Sequence, residues 1–131
     1  MKTSVLRHNG RTVKTEGDGL IASFSSVREA VDCAVDIQRG TSALEGPAGK
    51  PVPIRIGINS GEALKEDDDL IGLSVVKAAR VMGHARGGEI LVSQVSRSLL
   101  GPATGVTLVA RGWYEMKGLS RKERVFEVVW R

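Results

Sequence analysis

A seven-residue alternating stretch is the feature that most limits how this chain can fold. Branched apolar residues occupy every second position from Val52 to Ile58, with Pro, Arg and Gly between them. Side chains alternate between the two faces of a strand, so this pattern predicts a strand with one buried face. A covering helix is predicted to begin at Ser26, which forms a capping-box pattern with Glu29, and to end near Gly40. Strand and helix patterns within 131 residues predict one α+β domain.

Turn signals and apolar runs give the order of the other elements. Two strands, Arg11–Thr15 and Leu20–Phe24, flank the turn Glu16–Gly19, where Asp-Gly favours a hairpin. The resulting order β-β-α-β-β-α-β-(α)-β-β predicts a mainly antiparallel sheet with helices on one face. Further along the chain we expect a strand at Glu62–Leu64, a helix within Leu70–Met82, a strand at Glu89–Ser93, a short helix at Gln94–Leu100 and a hairpin from Val106 to Val129.

Charge and composition argue against several classes of partner. The net charge is +4, but 19 basic residues are scattered among 15 acidic ones, and the densest block, Glu66–Asp69, is acidic. Nucleic-acid binding favours a basic stripe with aromatic residues for stacking, so we expect no nucleic-acid partner. No apolar run approaches the roughly 18 residues that a membrane span needs. The lone Cys33 fits a reducing compartment, so we expect a cytoplasmic protein without a membrane partner.

Four short segments occur in an order that resembles a known family. They are Val13–Gly19, Arg55–Gly61, Asp69–Gly72 leading to Ala78–Arg80, and Met116–Gly118. Together they resemble the catalytic domain of class III adenylyl and guanylyl cyclases, from about Arg11 onward. The resemblance implies a ferredoxin-like α/β sandwich. It also implies that ATP is converted to cyclic AMP and pyrophosphate at a dimer interface, with Mg²⁺ or Mn²⁺ as cofactor.

The resemblance assigns one metal ligand and one base-selecting pair. Asp18 matches one of the two metal-binding aspartates of the family, and carboxylates suit such hard cations; alternatively, Asp18 only shapes the turn. Lys14 and Asp69 fall where the family selects its base, and they match the adenylyl type. The alternatives are an exposed strand lysine for Lys14 and a helix N-cap for Asp69.

Two cations match the phosphate contacts of the family. Arg80 falls where the family places the arginine that stabilises transition-state charge. Lys117 falls where it places a lysine on the terminal phosphates. Positive charge aimed at phosphoryl oxygens suits both roles. The alternative for each is a solvated surface charge.

Two departures from the family pattern limit these assignments. Val76 stands one helical turn before Arg80, where the family has an asparagine, and valine cannot hydrogen-bond a ribose oxygen. No segment before Arg11 resembles the first strand, which carries the other metal aspartate in the family. We therefore interpret residues 1–131 as a single, N-terminally incomplete cyclase domain with part of its apolar surface exposed.

Two functions follow from this mixture of retained and lost residues. The first is an impaired cyclase domain that acts as a homodimer or contributes the substrate-binding half to another cyclase domain. The second is a catalytically inactive pseudo-cyclase that binds a nucleotide or regulates a partner by dimerisation. The retained Lys14, Asp69, Arg80 and Lys117 favour the first function. Val76 and the absence of a segment like the first strand favour the second.

Overall fold

The computed structural model describes residues 1–131 apart from 17–18, 45, 47–48, 50–52, 68 and 103–104. The helices are α1 (Lys2–Arg7), α2 (Val27–Ser42), α3 (Leu73–Gly83) and α4 (Gln94–Leu100). The strands are β1 (Arg11–Glu16), β2 (Gly19–Ser23), β3 (Ile56–Ile58), β4 (Leu64–Glu66), β5 (Asp69–Ile71), β6 (Ile90–Ser93), β7 (Thr107–Glu115) and β8 (Lys122–Val129). No helix in these ranges combines the length and apolar character needed to cross a bilayer.

A four-stranded sheet in the order β3-β6-β8-β7 forms the centre of the fold. β3 and β6 are parallel, whereas β8 runs antiparallel to both β6 and β7. Two further strand pairs, β1–β2 and β4–β5, are antiparallel hairpins. The predicted α+β class with mainly antiparallel strands is confirmed.

β6 is buried on both of its faces, which corrects the prediction that helices cover one face of the sheet. Ile90 and Val92 pack into a cluster with residues of α2 and α4. Leu91 points the other way and packs with Val81 of α3, and all four of these side chains are at most 1% exposed. Successive apolar residues in a strand need cover on both sides, and α3 supplies the second layer.

The first ten residues contain a helix that their sequence pattern did not indicate. α1 contacts α2 and β1, and its Val5 is 1% exposed. An ion pair of 2.6 Å joins Arg7 to Asp36 of α2. The six residues of α1 complete fewer than two turns, so a helical period cannot show in the sequence. The structure therefore places a short helix directly before β1.

α2 begins where the capping pattern predicts but ends later. The side chain of Ser26 accepts a hydrogen bond of 3.2 Å from the Glu29 amide. The helix continues past Gly40, because the hydroxyls of Thr41 and Ser42 donate to carbonyl oxygens of its last turn. Gly40 is consequently an interior residue rather than the cap.

The acidic block forms a hairpin instead of preceding a helix directly. Leu64 pairs with Ile71 and Glu66 pairs with Asp69 across β4 and β5. Asp67 has a φ of 54°, a left-handed conformation that short polar residues adopt in tight turns. The N-cap of α3 is Gly72, so the alternative of Asp69 as a helix cap is wrong.

The strand predicted at Glu62–Leu64 is observed two residues later, at Leu64–Glu66. The remaining predicted elements are confirmed with small changes in their bounds. α4 has the predicted bounds, and the long hairpin is formed by β7 and β8. The predicted strand at Glu89–Ser93 begins one residue later, at Ile90. The strand predicted from Val52 is observed from Ile56 onward, and Val52 itself lies outside the described residues.

α3 contacts the central sheet through the backbone at Gly57 of β3. A Cβ atom on Gly57 would lie 2.4 Å from the Met82 amide nitrogen and 2.8 Å from the Ala78 carbonyl oxygen. Atoms do not approach so closely, and backbone cannot move aside as a flexible side chain can. Glycine therefore allows α3 to lie directly on β3.

We expect Gly57→Ala to destabilise the protein by about 3 kcal/mol, the upper part of the usual range for overpacking. The matched control is Gly40→Ala, because no atom of the described residues outside the helix's own backbone lies within 4 Å of a Cβ at that position. It should stabilise the protein by about 0.5–1 kcal/mol through helix propensity. Urea unfolding followed by circular dichroism measures both, and equal stability of Gly57→Ala and wild type would contradict the close approach.

Candidate functional site

The two residues predicted to select the base are adjacent in the structure. Lys14 on β1 and Asp69 on β5 form an ion pair in which Nζ lies 3.2 Å from Oδ2. Their side chains are 37% and 41% exposed, so both remain accessible to a ligand. Contacts between β1 and β5 bring the two residues together across 55 positions of sequence.

Asp69 is held in its ionised form. The hydrogen bond from Lys14 lowers the pKa of Asp69 below its ordinary value, and a second bond from the Leu70 amide, 2.8 Å long, lowers it further. The pair thus presents a cationic donor beside an anionic acceptor. A small cavity of about 20 Å³ next to it is lined by Arg11, Val13, Ser23, Lys65, Asp69 and Leu70.

The two predicted phosphate ligands also meet each other. The Nε of Arg80 on α3 donates a hydrogen bond of 3.0 Å to the carbonyl oxygen of Lys117, in the turn between β7 and β8. Within the described part of the chain, the terminal nitrogens of Arg80 have no hydrogen-bond partner. The Lys117 side chain is exposed. The Arg80 guanidinium therefore lies against the backbone of Lys117, whose own cationic side chain is accessible to an anion.

A larger cavity, of about 510 Å³, lies at the turn that carries Lys117. Three cationic side chains line it, and Met116 and Leu119 add apolar surface. A cavity with this lining can accept an anionic group better than an apolar one. The full lining is Glu115, Met116, Lys117, Leu119, Ser120, Arg121 and Lys122.

Val76 is exposed one helical turn before Arg80, as the spacing predicts. It is 41% exposed and offers only methyl groups to a ligand. The neighbouring Lys77 cannot replace a hydrogen-bonding side chain there, because its Nζ pairs with Glu123 at 3.0 Å. The departure from the family pattern at Val76 is therefore not compensated by Lys77.

The predicted metal ligand Asp18 lies outside the described residues. Among the residues that are described, no three His, Cys, Asp or Glu side chains are close enough together to hold a metal ion. The described residues thus do not assemble a metal site by themselves.

The sequence prediction missed two residues that border the Arg80–Lys117 pair. His84 follows Arg80 by four positions and caps α3, and its Nε2 lies 3.2 Å from the carbonyl oxygen of Glu115. Its ring lies 4.5 Å from that of Tyr114. The spacing of four from Arg80, which places both side chains on one helical face, is the signal that could have identified His84.

The chain belongs to the adenylate and guanylate cyclase catalytic domain family, whose model matches residues 1–129. It is 31% identical over 121 residues to a putative adenylate cyclase 3 of Rhizobium meliloti, covering 91% of this chain and 21% of that protein. It is 32% identical over 130 residues to an uncharacterized protein of Mycobacterium tuberculosis, covering 95% of this chain and 43% of that protein. The chain therefore spans less than half of the length of these curated relatives.

The fold is shared with solved cyclase domains. A crystal structure of an adenylate/guanylate cyclase/hydrolase from Silicibacter pomeroyi matches with a TM-score of 0.88 and 30% identity. The match covers 98% of this chain and 76% of that one. The family resemblance and the cyclase-like α+β fold are confirmed, whereas the roles of Lys14, Asp69, Arg80, Lys117 and Asp18 remain predictions.

We expect Lys14→Met to raise the pKa of Asp69 toward its ordinary value, because the variant removes the hydrogen-bond donor. Carboxyl-carbon NMR across a pH titration measures this, and Lys2→Met on α1 should leave Asp69 unchanged. The ion pair lowers the pKa of Asp69 in the folded state only. It therefore stabilises the fold at pH values above the ordinary pKa of about 4, and this stabilisation is lost as the pH falls through the lowered pKa. An Asp69 pKa that is the same in Lys14→Met and wild type would contradict the ion pair.

Proposed function

We propose that this domain binds ATP and contributes the base-binding and phosphate-binding half of a dimeric cyclase site, which forms cyclic AMP and pyrophosphate. One observation carries the proposal: the two residue pairs, Lys14–Asp69 and Arg80–Lys117, are each in hydrogen-bond contact and lie toward opposite ends of α3. Membership of the cyclase family supports the assignment of this reaction to the site.

The separation of the pairs suits an extended nucleotide. Asp69 lies on the strand that leads into α3, and Arg80 lies seven residues after the first residue of the helix. At 1.5 Å per residue, this places Arg80 roughly 10 Å along the helix axis from Leu73. A nucleoside triphosphate can place its base at one end of such a surface and its phosphates at the other.

The Lys14–Asp69 pair has the chemistry to prefer adenine. The edge of adenine offers an exocyclic amino donor next to a ring-nitrogen acceptor. The ionised Asp69 can accept from the amino group, while Lys14 donates to the ring nitrogen. Guanine presents a carbonyl oxygen in place of the amino group, and this oxygen would face the carboxylate unfavourably. We therefore propose ATP over GTP.

Arg80 and Lys117 are proposed to neutralise the charge that moves during cyclisation. The 3′ oxygen of ATP forms a bond to the α-phosphorus, the bond to the bridging oxygen of the β-phosphate breaks, and the 3′ proton is lost to solvent. Negative charge builds up on the phosphoryl oxygens in the transition state and on the leaving pyrophosphate. Arg80 can stabilise the charge on the phosphoryl oxygens, and Lys117 can stabilise the charge on the pyrophosphate. Fixed cations suit this because they need no reorganisation during the reaction.

The metal site and the location of the protein are parts of the same proposal. Asp18 is proposed to help hold Mg²⁺ or Mn²⁺, which would neutralise phosphate charge, with further carboxylates coming from outside the described residues. A cytoplasmic location is supported by the single cysteine, Cys33, which is buried and has its pKa raised by that burial.

The test is turnover of ATP to cyclic AMP with Mn²⁺, followed by mass spectrometry. Arg80→Ala should lower kcat about 100- to 1000-fold, because it removes a donor that stabilises developing charge. Asp18→Ala should abolish turnover, and Lys2→Ala on α1 serves as the control that leaves it unchanged. Turnover that survives both Arg80→Ala and Asp18→Ala would contradict the proposed site.

The exposed Val76 favours a second candidate, a nucleotide-binding or regulatory pseudo-cyclase. Its methyl groups cannot orient a ribose hydroxyl, so binding can persist while catalysis is lost. The decisive outcome is ATP binding by calorimetry without cyclic AMP formation. The assay includes a complete cyclase partner that lacks its own base-selecting lysine and aspartate. Turnover in that mixture supports the first candidate, and its absence supports the second.

The proposed partner is another cyclase domain, in either a homodimer or a heterodimer. Leu64, Ile71 and Leu73 are 74%, 46% and 64% exposed, and Leu64 pairs with Ile71 across the hairpin. Together with Val76 they form an apolar surface beside the candidate site. Exposed apolar surface of this kind is typical of an interface.

We expect Leu73→Asp to weaken self-association at least about tenfold, the effect of losing one buried leucine side chain. Sedimentation velocity over a concentration series measures this. The matched control is Leu99→Asp, because Leu99 on α4 is 66% exposed and belongs to the helix layer on the other face of the sheet. A wild-type protein that stays monomeric throughout, or equal effects of both variants, would contradict an interface at Leu73.

A further inference from the structure

Three polar side chains on one face of α3 contact the β7–β8 hairpin. Lys77, Arg80 and His84 are spaced by three and four residues, which aligns them along a helix. Lys77 pairs with Glu123 at 3.0 Å, Arg80 donates to the Lys117 carbonyl at 3.0 Å, and the Nε2 of His84 lies 3.2 Å from the Glu115 carbonyl. We call these three contacts the polar seam.

Both the backbone and the ring of His84 are held in place. Its backbone amide bonds to the carbonyl of Val81 as the C-cap of α3. Its ring packs against Tyr114, with centroids 4.5 Å apart and planes inclined by 34°. A carbonyl oxygen only accepts hydrogen bonds, so Nε2 of His84 must carry the proton and donate to Glu115.

The polar seam and the core together hold the turn that carries Lys117. Met116 is 3% exposed and packs in the same cluster as Val81 of α3. The carbonyls on either side of Met116, those of Glu115 and Lys117, are the ones bonded to His84 and Arg80. The amide of Leu119 closes the turn on the Met116 carbonyl at 2.9 Å. Hydrogen bonds and core packing thus hold the backbone of residues 115–119 against α3.

We propose that His84 is a positioning residue that holds the Lys117 turn against Arg80, and so prepares the site for the terminal phosphates. This assignment rests on the proposed function, because it takes Lys117 to be a phosphate ligand. His84 acts through the Glu115 carbonyl and the turn, at a distance from the nucleotide. A turn that is already fixed loses less conformational entropy when phosphate binds, so the contact of His84 raises affinity for the triphosphate part alone.

Two variants separate the hydrogen bond of His84 from its packing. His84→Phe keeps an aromatic ring beside Tyr114 but cannot donate a hydrogen bond. His84→Gln loses the ring but keeps a side-chain amide that can donate to Glu115. His8→Phe, at the end of α1 beside Asp36 of α2, is the control for the loss of a histidine. Thermal unfolding of each variant, and amide hydrogen exchange at residues 116–119, show whether the fold and the turn are retained.

The experiment is calorimetric titration of ATP and of AMP in the presence of Mn²⁺. His84→Phe should weaken ATP binding about 2- to 10-fold, the effect of one net hydrogen bond, and leave AMP binding unchanged, because AMP lacks the terminal phosphates. His84→Gln should restore most of the ATP affinity, and His8→Phe should behave like wild type. Amide exchange at residues 116–119 should be faster in His84→Phe.

Each other result counts against the assignment in a distinct way. Equal loss of ATP and AMP affinity in His84→Phe would mean that His84 has only a structural role. Unchanged ATP affinity, or a His84→Gln variant that behaves like His84→Phe, overturns the positioning role while the proposed function stands. A wild-type protein that does not bind ATP, or a Lys117→Ala variant that binds it equally well, contradicts the proposed function, and the assignment of His84 fails with it.

Discussion

The backbone contact between α3 and Gly57 of β3 determines where both charged pairs lie. α3 can rest on the strand only because no Cβ separates them, and Val81 then reaches the core cluster behind β6. The helix follows directly from β5, which carries Asp69, and carries Arg80 itself. A packing constraint in the core therefore fixes the position of α3, and the rise of the helix then separates the Lys14–Asp69 pair from the Arg80–Lys117 pair.

The Lys14–Asp69 ion pair, which lies just before this helix, is too exposed to hold it in place. The Lys14 and Asp69 side chains are 37% and 41% exposed, and ion pairs in such surroundings contribute little to stability. Burial of Val81 and Leu91, both at 0% exposure, contributes more, at roughly 1.5–3 kcal/mol for each fully buried side chain. The apolar side of α3 fixes its position, and on the polar side the terminal nitrogens of Arg80 are left, within the described residues, for a ligand.

The sequence predicted local features well and contacts across the chain poorly. The capping of α2 at Ser26 and the bounds of α4 follow from patterns within a few residues. α1 was missed because six residues are too few to show a period, and the β4–β5 hairpin because Asp67 takes a left-handed conformation. The pairing of Lys14 with Asp69 depends on tertiary structure, so the family resemblance could suggest it but no local pattern could.

The residues that the candidate site retains serve mainly binding, whereas the residue that it lacks would serve catalysis. Under the proposed function, Lys14 and Asp69 act on groups that are present in ATP before it reacts, so they contribute to affinity. Lys117 acts on the terminal phosphates, so it contributes to affinity as well as to stabilisation of the leaving pyrophosphate. Orientation of the ribose for attack contributes to the rate instead, and Val76 removes a group that would supply it. Because interactions that do not strengthen in the transition state leave kcat unchanged, this chain should retain nucleotide affinity more fully than turnover. Under the proposed function, its contribution to a cyclase dimer is then mainly the positioning of substrate, while the metal is held by Asp18 together with carboxylates that the partner supplies.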